Sequence, residues 1–154
     1  MKRTVLVTGS ARGIGLATAR LFKKNGWRVI GADREKKKAY ADFFINVDLA
    51  QPDAVRLIKS FLEKNRIKRL DALVNNAAVQ TVKPFKSITQ NEWRQSFAVN
   101  AEAPFFLAQA LLPELRKARG SIVNVASIHA YLTKKHFSLY AATKGALVTL
   151  TKAL

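Results

Sequence analysis

Cysteine is absent from the 154 residues, which excludes disulfides, thiolate metal sites and a thiol nucleophile. Histidine occurs only at His129 and His136, too few for a histidine-built metal cage, so no metal site is expected. Acidic residues are scarce: Asp and Glu number 10 against 27 Lys and Arg, a formal net charge of +17. Long apolar runs are missing too, and none approaches the about 18 residues of a membrane span. The start, Met1-Lys2-Arg3, leads only into the short stretch Val5 to Val7, which falls short of a signal-peptide core. A cytoplasmic protein with no membrane partner is therefore expected. No repeat, low-complexity tract or Pro/Gly-rich linker divides the chain, so residues 1–154 read as one domain. Hydrophobic residues at 49% and charged residues at 24% suit a buried core rather than disorder.

The positive charge favours phosphorylated or polyanionic ligands through long-range attraction. It is densest at Lys36-Lys37-Lys38 and at Lys64, Arg66, Lys68 and Arg69. Solvated helix faces and loops account for such runs. A nucleic-acid binder would want a basic stripe with interleaved aromatics or a known module, and neither is found, so nucleic acid is not an expected partner.

Short β-rich runs alternate with helical periods, the pattern of parallel βαβ units. Thr4 to Val7 reads as the first strand. A helix follows from Gly13 to Lys24, with Ile14, Ala17, Leu21 and Phe22 on its apolar face and Gly26 at its stop. Val29 to Ala32 and Phe43 to Val47 are the next strands, separated by a poorly patterned connection. Pro52 suits the first turn of a helix whose stripe is Val55, Ile58 and Leu62. Ala72 to Val74 is the fourth strand. Thr89 and Glu92 form a T-x-x-E capping box that opens a long helix toward Leu115, ended by Gly120. Ser121 to Val125 is the fifth strand, and a last helix begins near Ser138. The whole fits an α/β fold with one open parallel sheet covered on both faces.

The turn Thr8-Gly9-Ser10-Ala11-Arg12-Gly13-Ile14-Gly15 lies between the first strand and helix. Its spacing, G-x-x-x-G-x-G, is neither the Walker pattern nor G-x-G-x-x-G. Glycines there allow a tight turn and close approach of a pyrophosphate to a helix N-terminus; a merely structural turn remains the alternative. Asp33 closes the second strand 18 residues after Gly15, where a carboxylate can accept hydrogen bonds from ribose hydroxyls. A surface-loop aspartate is the plainer alternative. Asp48, at the end of the third strand, either lies near an adenine or caps the following helix.

Tyr140 and Lys144 are four residues apart and share a helix face. A phenol of pKa about 10 is a poor base at neutral pH, and lowering it by about three units takes ~4 kcal/mol. A cation about 4 Å away supplies that much at an effective dielectric of about 20. Ser127 precedes Tyr140 by 13 residues, at a strand end where open α/β sheets place ligands.

On these residues the sequence resembles the short-chain dehydrogenase/reductase family. The family's T-G-x-x-x-G-x-G turn is Thr8 to Gly15, its N-N-A-G segment is Asn75-Asn76-Ala77-Ala78, its helix asparagine is Asn100, its serine Ser127, and its Y-x-x-x-K pair Tyr140 and Lys144. The resemblance covers essentially the whole chain. It implies a Rossmann-type doubly wound sheet and an oxidoreductase that moves hydride between a nicotinamide cofactor and a secondary alcohol or ketone. Tyr140 would exchange the proton at the carbinol oxygen and Ser127 would hydrogen-bond that oxygen. Lys144 would lower the tyrosine pKa and hold the nicotinamide ribose, and Asn100 would position a water. Pro104 offers a physical reason for that last role: it has no N–H for the Asn100 carbonyl, so the helix should kink. The implied cofactor site comprises Gly9, Ser10, Arg12, Gly13, Ile14 and Gly15 in the turn, Asp33 and Arg34 after the second strand, Asp48 and Leu49 after the third, and Asn75 and Ala77 after the fourth, with Tyr140 and Lys144. NAD is expected over NADP because Asp33 would repel a 2′-phosphate, a preference that Arg34 and Arg12 soften. Family members are often dimers or tetramers through the helices carrying Asn100 and Tyr140, so a homo-oligomer is expected.

Three departures from the family pattern stand out. Ala78 replaces a glycine, which matters only if positive φ is needed there. Lys134-Lys135-His136 brings a basic cluster to a loop that normally borders the substrate, read either as a solvated loop or as a preference for an anionic substrate. The sequence also stops at Leu154, inside the Tyr140 helix, so the C-terminal part of the family fold is expected to be missing. The fifth strand then keeps a bare edge, Leu147, Val148 and Leu150 lie partly uncovered, and a dinucleotide-binding module without turnover becomes the alternative reading.

Overall fold

The computed structural model describes residues 2–36 and 39–154, so Lys37 and Lys38 of the first basic run lie outside the described residues. Five parallel strands form one sheet: β1 (Thr4–Thr8), β2 (Arg28–Asp33), β3 (Phe43–Asn46), β4 (Ala72–Asn75) and β5 (Ser121–Asn124), in spatial order β3-β2-β1-β4-β5. The register sets Leu6 beside Ile30 on one side and Leu73 on the other. All of β1 and β4 is buried, as central parallel strands require, whereas β5 alternates exposed and half-buried residues at the sheet margin. Strand order reverses between β1 and β4, and a crevice opens there beyond the strand ends.

Side-chain alternation sends β1 to both faces. Leu6 joins Ile30, Ile58, Leu62, Leu73, Leu107 and Leu111 under α2 (Ala54–Lys64) and the helical segment 103–118, while Val5 and Val7 pack with Ala19, Val29 and Val74 under α1 (Gly13–Lys24). The face of α1 differs from the expected stripe. Ile14 and Leu21 are exposed at 66% and 61%, and Ala17 is exposed as well, while Gly15 and Ala19 are buried and Phe22 is half-buried. Small residues win because the helix start lies almost on the preceding turn: a Cβ on Gly15 would fall 2.0 Å from the Gly9 carbonyl oxygen.

The long helix expected from Thr89 toward Leu115 is three helices. Its start is as expected: Thr89 Oγ1 accepts from the Glu92 N–H at 3.2 Å, and Glu92 Oε2 accepts from the Thr89 N–H at 2.8 Å. After α3 (Gln90–Phe97) comes a π turn, Ala98–Glu102, in which the Ala103 N–H donates to the Ala98 carbonyl five residues back. Pro104 removes one rung of the α pattern, and the chain absorbs this by widening rather than by the simple kink expected. Helix α4 (Ala103–Ala110) then breaks at Leu111, ahead of Pro113 in α5 (Leu112–Ala118). The last helix, α6 (Ser138–Ala153), packs against β5 and α3. Leu147 is buried at 1% exposure, contrary to expectation, and Val148 and Leu150 are half-buried. Strand bounds differ from the sequence reading by one residue at some ends, as termini commonly do.

Candidate active site

The glycine turn carries the chain from β1 to α1. Gly9 has φ +65°, and a Cβ on it would lie 2.8 Å from Ala77 Cα. Thr8 and Asn76 lock the turn against the β4 loop. Thr8 Oγ1 accepts from the N–H groups of Asn76 and Ala77 at 3.0 and 3.1 Å, and Asn76 Nδ2 donates to the carbonyls of Thr8 and Gly9 at 3.0 and 3.1 Å. Helix α1 begins without a side-chain cap, since its cap residue is Arg12, and its first turn holds no acid. Among the described residues its first N–H groups therefore have neither helical partner nor side-chain capping oxygen, and no acid in the first turn offsets the partial positive charge there. That is the anion-accepting end a pyrophosphate fits.

Asp33 closes β2 facing this turn. Its Oδ2 accepts from the Ala11 N–H at 2.8 Å and its Oδ1 from the Glu35 N–H at 3.0 Å. Arg12 Nε lies 3.6 Å from Glu35 Oε1, both side chains well exposed. Asp48 accepts from the Ala50 N–H at 3.0 Å, a local turn that leaves its carboxylate at the rim of the same cleft.

The cleft has a volume of about 470 Å³ and holds many of the expected cofactor residues: Gly9, Arg12, Gly13, Ile14, Asp33, Arg34, Asp48, Leu49, Ala77 and Tyr140. Others lie outside its lining. The Ser10 side chain is turned inward, buried at 1% exposure beside Gly31, with its Oγ unpartnered among the described residues. Gly15 acts through its close approach to Gly9. Asn75 is buried in β4, where its Nδ2 donates to Asn124 Oδ1 at 2.8 Å; its neighbour Asn76 lines the cleft instead. Sequence reasoning missed Glu35, Asn76 and Gln80 among the polar lining residues, and Ala32, Val47, Ala78, Val79 and Val99 among the apolar ones. The Asn75–Asn76 pair was visible, but only the exact strand end decides which of the two faces out. Ala78 has no positive φ, so the missing glycine costs nothing there.

The four residues expected to be catalytic cluster around the N-terminal part of α6. Asn100 is fully buried in the π turn. Its Oδ1 accepts from the Val79 N–H at 2.8 Å, and its Nδ2 donates to the Val79 carbonyl at 2.8 Å and to Thr143 Oγ1 at 2.9 Å. The side chain thus clamps the β4 loop to α6 rather than reaching Lys144. Thr143, missed in the sequence, has a hydroxyl that donates to the Tyr140 carbonyl at 2.8 Å. Ser127 caps a short turn, its Oγ accepting from the His129 N–H at 3.2 Å. Tyr140 lines the cleft. Lys144 is buried at 2% exposure, its Nζ donating to the Val125 carbonyl at 2.7 Å and lying 5.8 Å from the Tyr140 ring centroid. Burial pushes its ammonium pKa down to about 8. An uncapped helix N-terminus, a strand-end carboxylate and a phenol beside a buried lysine thus border one crevice, an arrangement that can hold a dinucleotide and exchange a proton at its far end.

The residue pattern of the short chain dehydrogenase family matches residues 3–154, and the chain belongs to that family. Among named relatives, it is 39% identical to Protein FixR of Bradyrhizobium diazoefficiens and 34% identical to L-fucose dehydrogenase of Oryctolagus cuniculus, each match covering 99% of this chain. It spans only 60% and 56% of the lengths of those two proteins. Among solved structures, a short chain dehydrogenase/reductase family oxidoreductase from Brucella ovis, in complex with a partially ordered NAD, superposes with TM-score 0.86 at 35% identity, over 99% of this chain and 76% of that one. A metagenomic short-chain oxidoreductase in complex with NADP gives TM-score 0.90 at 30% identity, over 98% and 73%. No helix among the described residues is long and apolar enough to cross a membrane.

Proposed function

We propose that this protein is an NAD-dependent oxidoreductase that interconverts a secondary alcohol and its ketone. The observation that carries the reading is the placement of Tyr140 on the same cleft as the uncapped start of α1 and Asp33. A bound nicotinamide dinucleotide would supply the hydride acceptor. Tyr140 takes the hydroxyl proton of the alcohol, and Ser127 orients the carbinol oxygen. The Lys144 ammonium stabilises the phenolate electrostatically and holds the ribose hydroxyls. Asn100 acts at a remove, through the clamp that fixes Val79 and Thr143 around the tyrosine. NAD is preferred because Asp33, Glu35 and Asp48 outnumber Arg12 and Arg34 on the adenosine side of the cleft. The protein would self-associate through α3, α4 and α6, with Trp93, Phe105 and Phe106 exposed on the first two.

The test is reduction of NAD, followed by NADH absorbance, over a panel of secondary alcohols. Tyr140→Phe should lower turnover roughly 10²- to 10⁴-fold while leaving NAD affinity, measured by calorimetry, near that of the wild type. Wild-type turnover in Tyr140→Phe refutes the assignment. A second reading, dinucleotide binding without turnover, is favoured by one observation: Ser127 Oγ and Lys144 Nζ are both engaged by the chain's own backbone groups. NAD binding with no oxidation of any alcohol would select it.

A further inference from the structure

The cleft changes sign along its length. Its adenosine end carries three carboxylates, Asp33, Glu35 and Asp48. The Tyr140 end has none: from Asn75 to Thr89 the charged residues are Lys83 and Lys86, and no Asp or Glu follows Glu114. Glu92, on α3, is committed to the Lys83 ammonium at 2.8 Å and to its capping box. Between Ser127 and Tyr140 the aromatic side chains seat the basic ones. The His129 ring lies flat on Phe137, centroids 4.2 Å apart and planes 12° apart, and meets Tyr140 edge-on at 6.0 Å. Lys134 Nζ sits 5.1 Å from the Phe137 ring centroid. The His136 carbonyl accepts from the Lys83 N–H at 3.0 Å, tying this loop to the segment after β4, whose Lys83 ammonium is the partner of Glu92. An imidazole thus lies beside the phenol, and an ammonium lies over the ring stacked on that imidazole, with no carboxylate nearby in sequence to neutralise them.

We propose that the substrate carries an anionic group, received by His129 and Lys134, so that the reaction interconverts a hydroxy acid or a phosphorylated hydroxy compound with its oxo form. The proposal rests on the oxidoreductase reading above and names its substrate class. In the oxidation, the carbinol C–H leaves as hydride to the oxidised nicotinamide and the hydroxyl proton leaves through Tyr140 to solvent. The anionic group keeps its charge and takes no part in the electron count. Its role is attraction and orientation, through a field that the low acid content of this end leaves uncancelled.

The test compares short secondary-hydroxy acids, each with its methyl ester and with the phosphate monoester of the matching diol, by NAD reduction and by calorimetry on NADH-loaded protein. A charge-assisted contact of this kind should give the anionic member about tenfold higher kcat/KM and affinity than the ester, a gap that narrows as salt is raised. His129→Gln and Lys134→Ala should each shrink the acid-to-ester ratio, with NADH affinity retained as evidence of folding. A phosphate monoester outrunning the carboxylate supports the subsite and identifies the anion. Acid and ester handled equally by the wild type, or variants that lower both alike, overturn it. If no alcohol is oxidised but the acid still binds more tightly than its ester, the oxidoreductase reading fails and the anion subsite stands.

Discussion

Replacing Lys144 by methionine should stabilise this fold at neutral pH while impairing its chemistry. The ammonium is buried at 2% exposure, its one hydrogen-bond partner among the described residues is the Val125 carbonyl, and desolvation lowers its pKa from 10.5 to about 8. At 1.36 kcal/mol per unit that depression corresponds to roughly 3 kcal/mol, a cost the folded chain carries whenever the lysine is protonated. Methionine removes the charge at similar length but leaves the Val125 carbonyl without its donor, a loss of about 1–2 kcal/mol. The net expectation at pH 7 is a gain of about 1–2 kcal/mol, or a few degrees in Tm at roughly 2–4 °C per kcal/mol for a chain of this size. The sign of the pH dependence follows from linkage. Below about pH 8 both folded and unfolded wild type hold the proton and the cost is constant. Between about pH 8 and 10.5 the folded state has released it and the unfolded state has not, so the unfolded state binds more protons and wild-type stability rises with pH. Above 10.5 the penalty is gone, and the variant's advantage should turn into a deficit of about 1 kcal/mol for the lost hydrogen bond. Urea unfolding of both proteins from pH 7 to 11 reads this directly, because the other titrating groups cancel in the difference. A variant less stable than wild type at pH 7, or an advantage that does not change with pH, would refute the reasoning.

Gly15→Ala should push the α1 start off the turn, because the new Cβ would lie 2.0 Å from the Gly9 carbonyl oxygen; a loss of about 1–3 kcal/mol is expected, with NAD affinity down more than tenfold, and calorimetry showing unchanged NAD affinity would sink it. Asn100→Ala removes the buried amide that partners the N–H and carbonyl of the half-buried Val79 and the hydroxyl of the buried Thr143. At about 1–3 kcal/mol for a buried group left unpaired, it should cost several kcal/mol in urea unfolding, and a loss under about 1 kcal/mol would contradict the clamp. Asp33→Ala should narrow the NAD-over-NADP preference measured by paired titrations at one ionic strength, at some cost in stability because the Ala11 N–H loses its acceptor; an unchanged ratio would take Asp33 out of cofactor choice.

What the sequence determined by itself is local and periodic. Strand and helix order followed from alternation and from 3.6-residue spacing, the capping box at Thr89 and Glu92 from its four-residue signature, and the glycine turn, Asp33 and the Tyr140–Lys144 pair from spacings that hold whatever surrounds them. Each is set by backbone geometry within a few residues. The tertiary structure decided whatever depends on a distant partner. Ile14, Ala17 and Leu21 make a convincing stripe, yet Gly15 and Ala19 face the sheet, because only small side chains let α1 lie against the Gly9 carbonyl. Pro104 announced a break near Asn100, but packing of that segment on α6 chose a π turn over a kink. Asn75 and Asn76 are alike as letters; the end of β4 turns one to Asn124 and the other to the glycine turn, 67 residues earlier in the chain. Lys144 was legible as a cation beside a phenol, whereas its burial, its bond to Val125 and its pKa near 8 exist only because β5 and α6 meet around it. The divide lies in contact distance along the chain: short-range geometry is written in neighbouring residues, while burial and hydrogen-bond partners are settled by which remote surface arrives to exclude water.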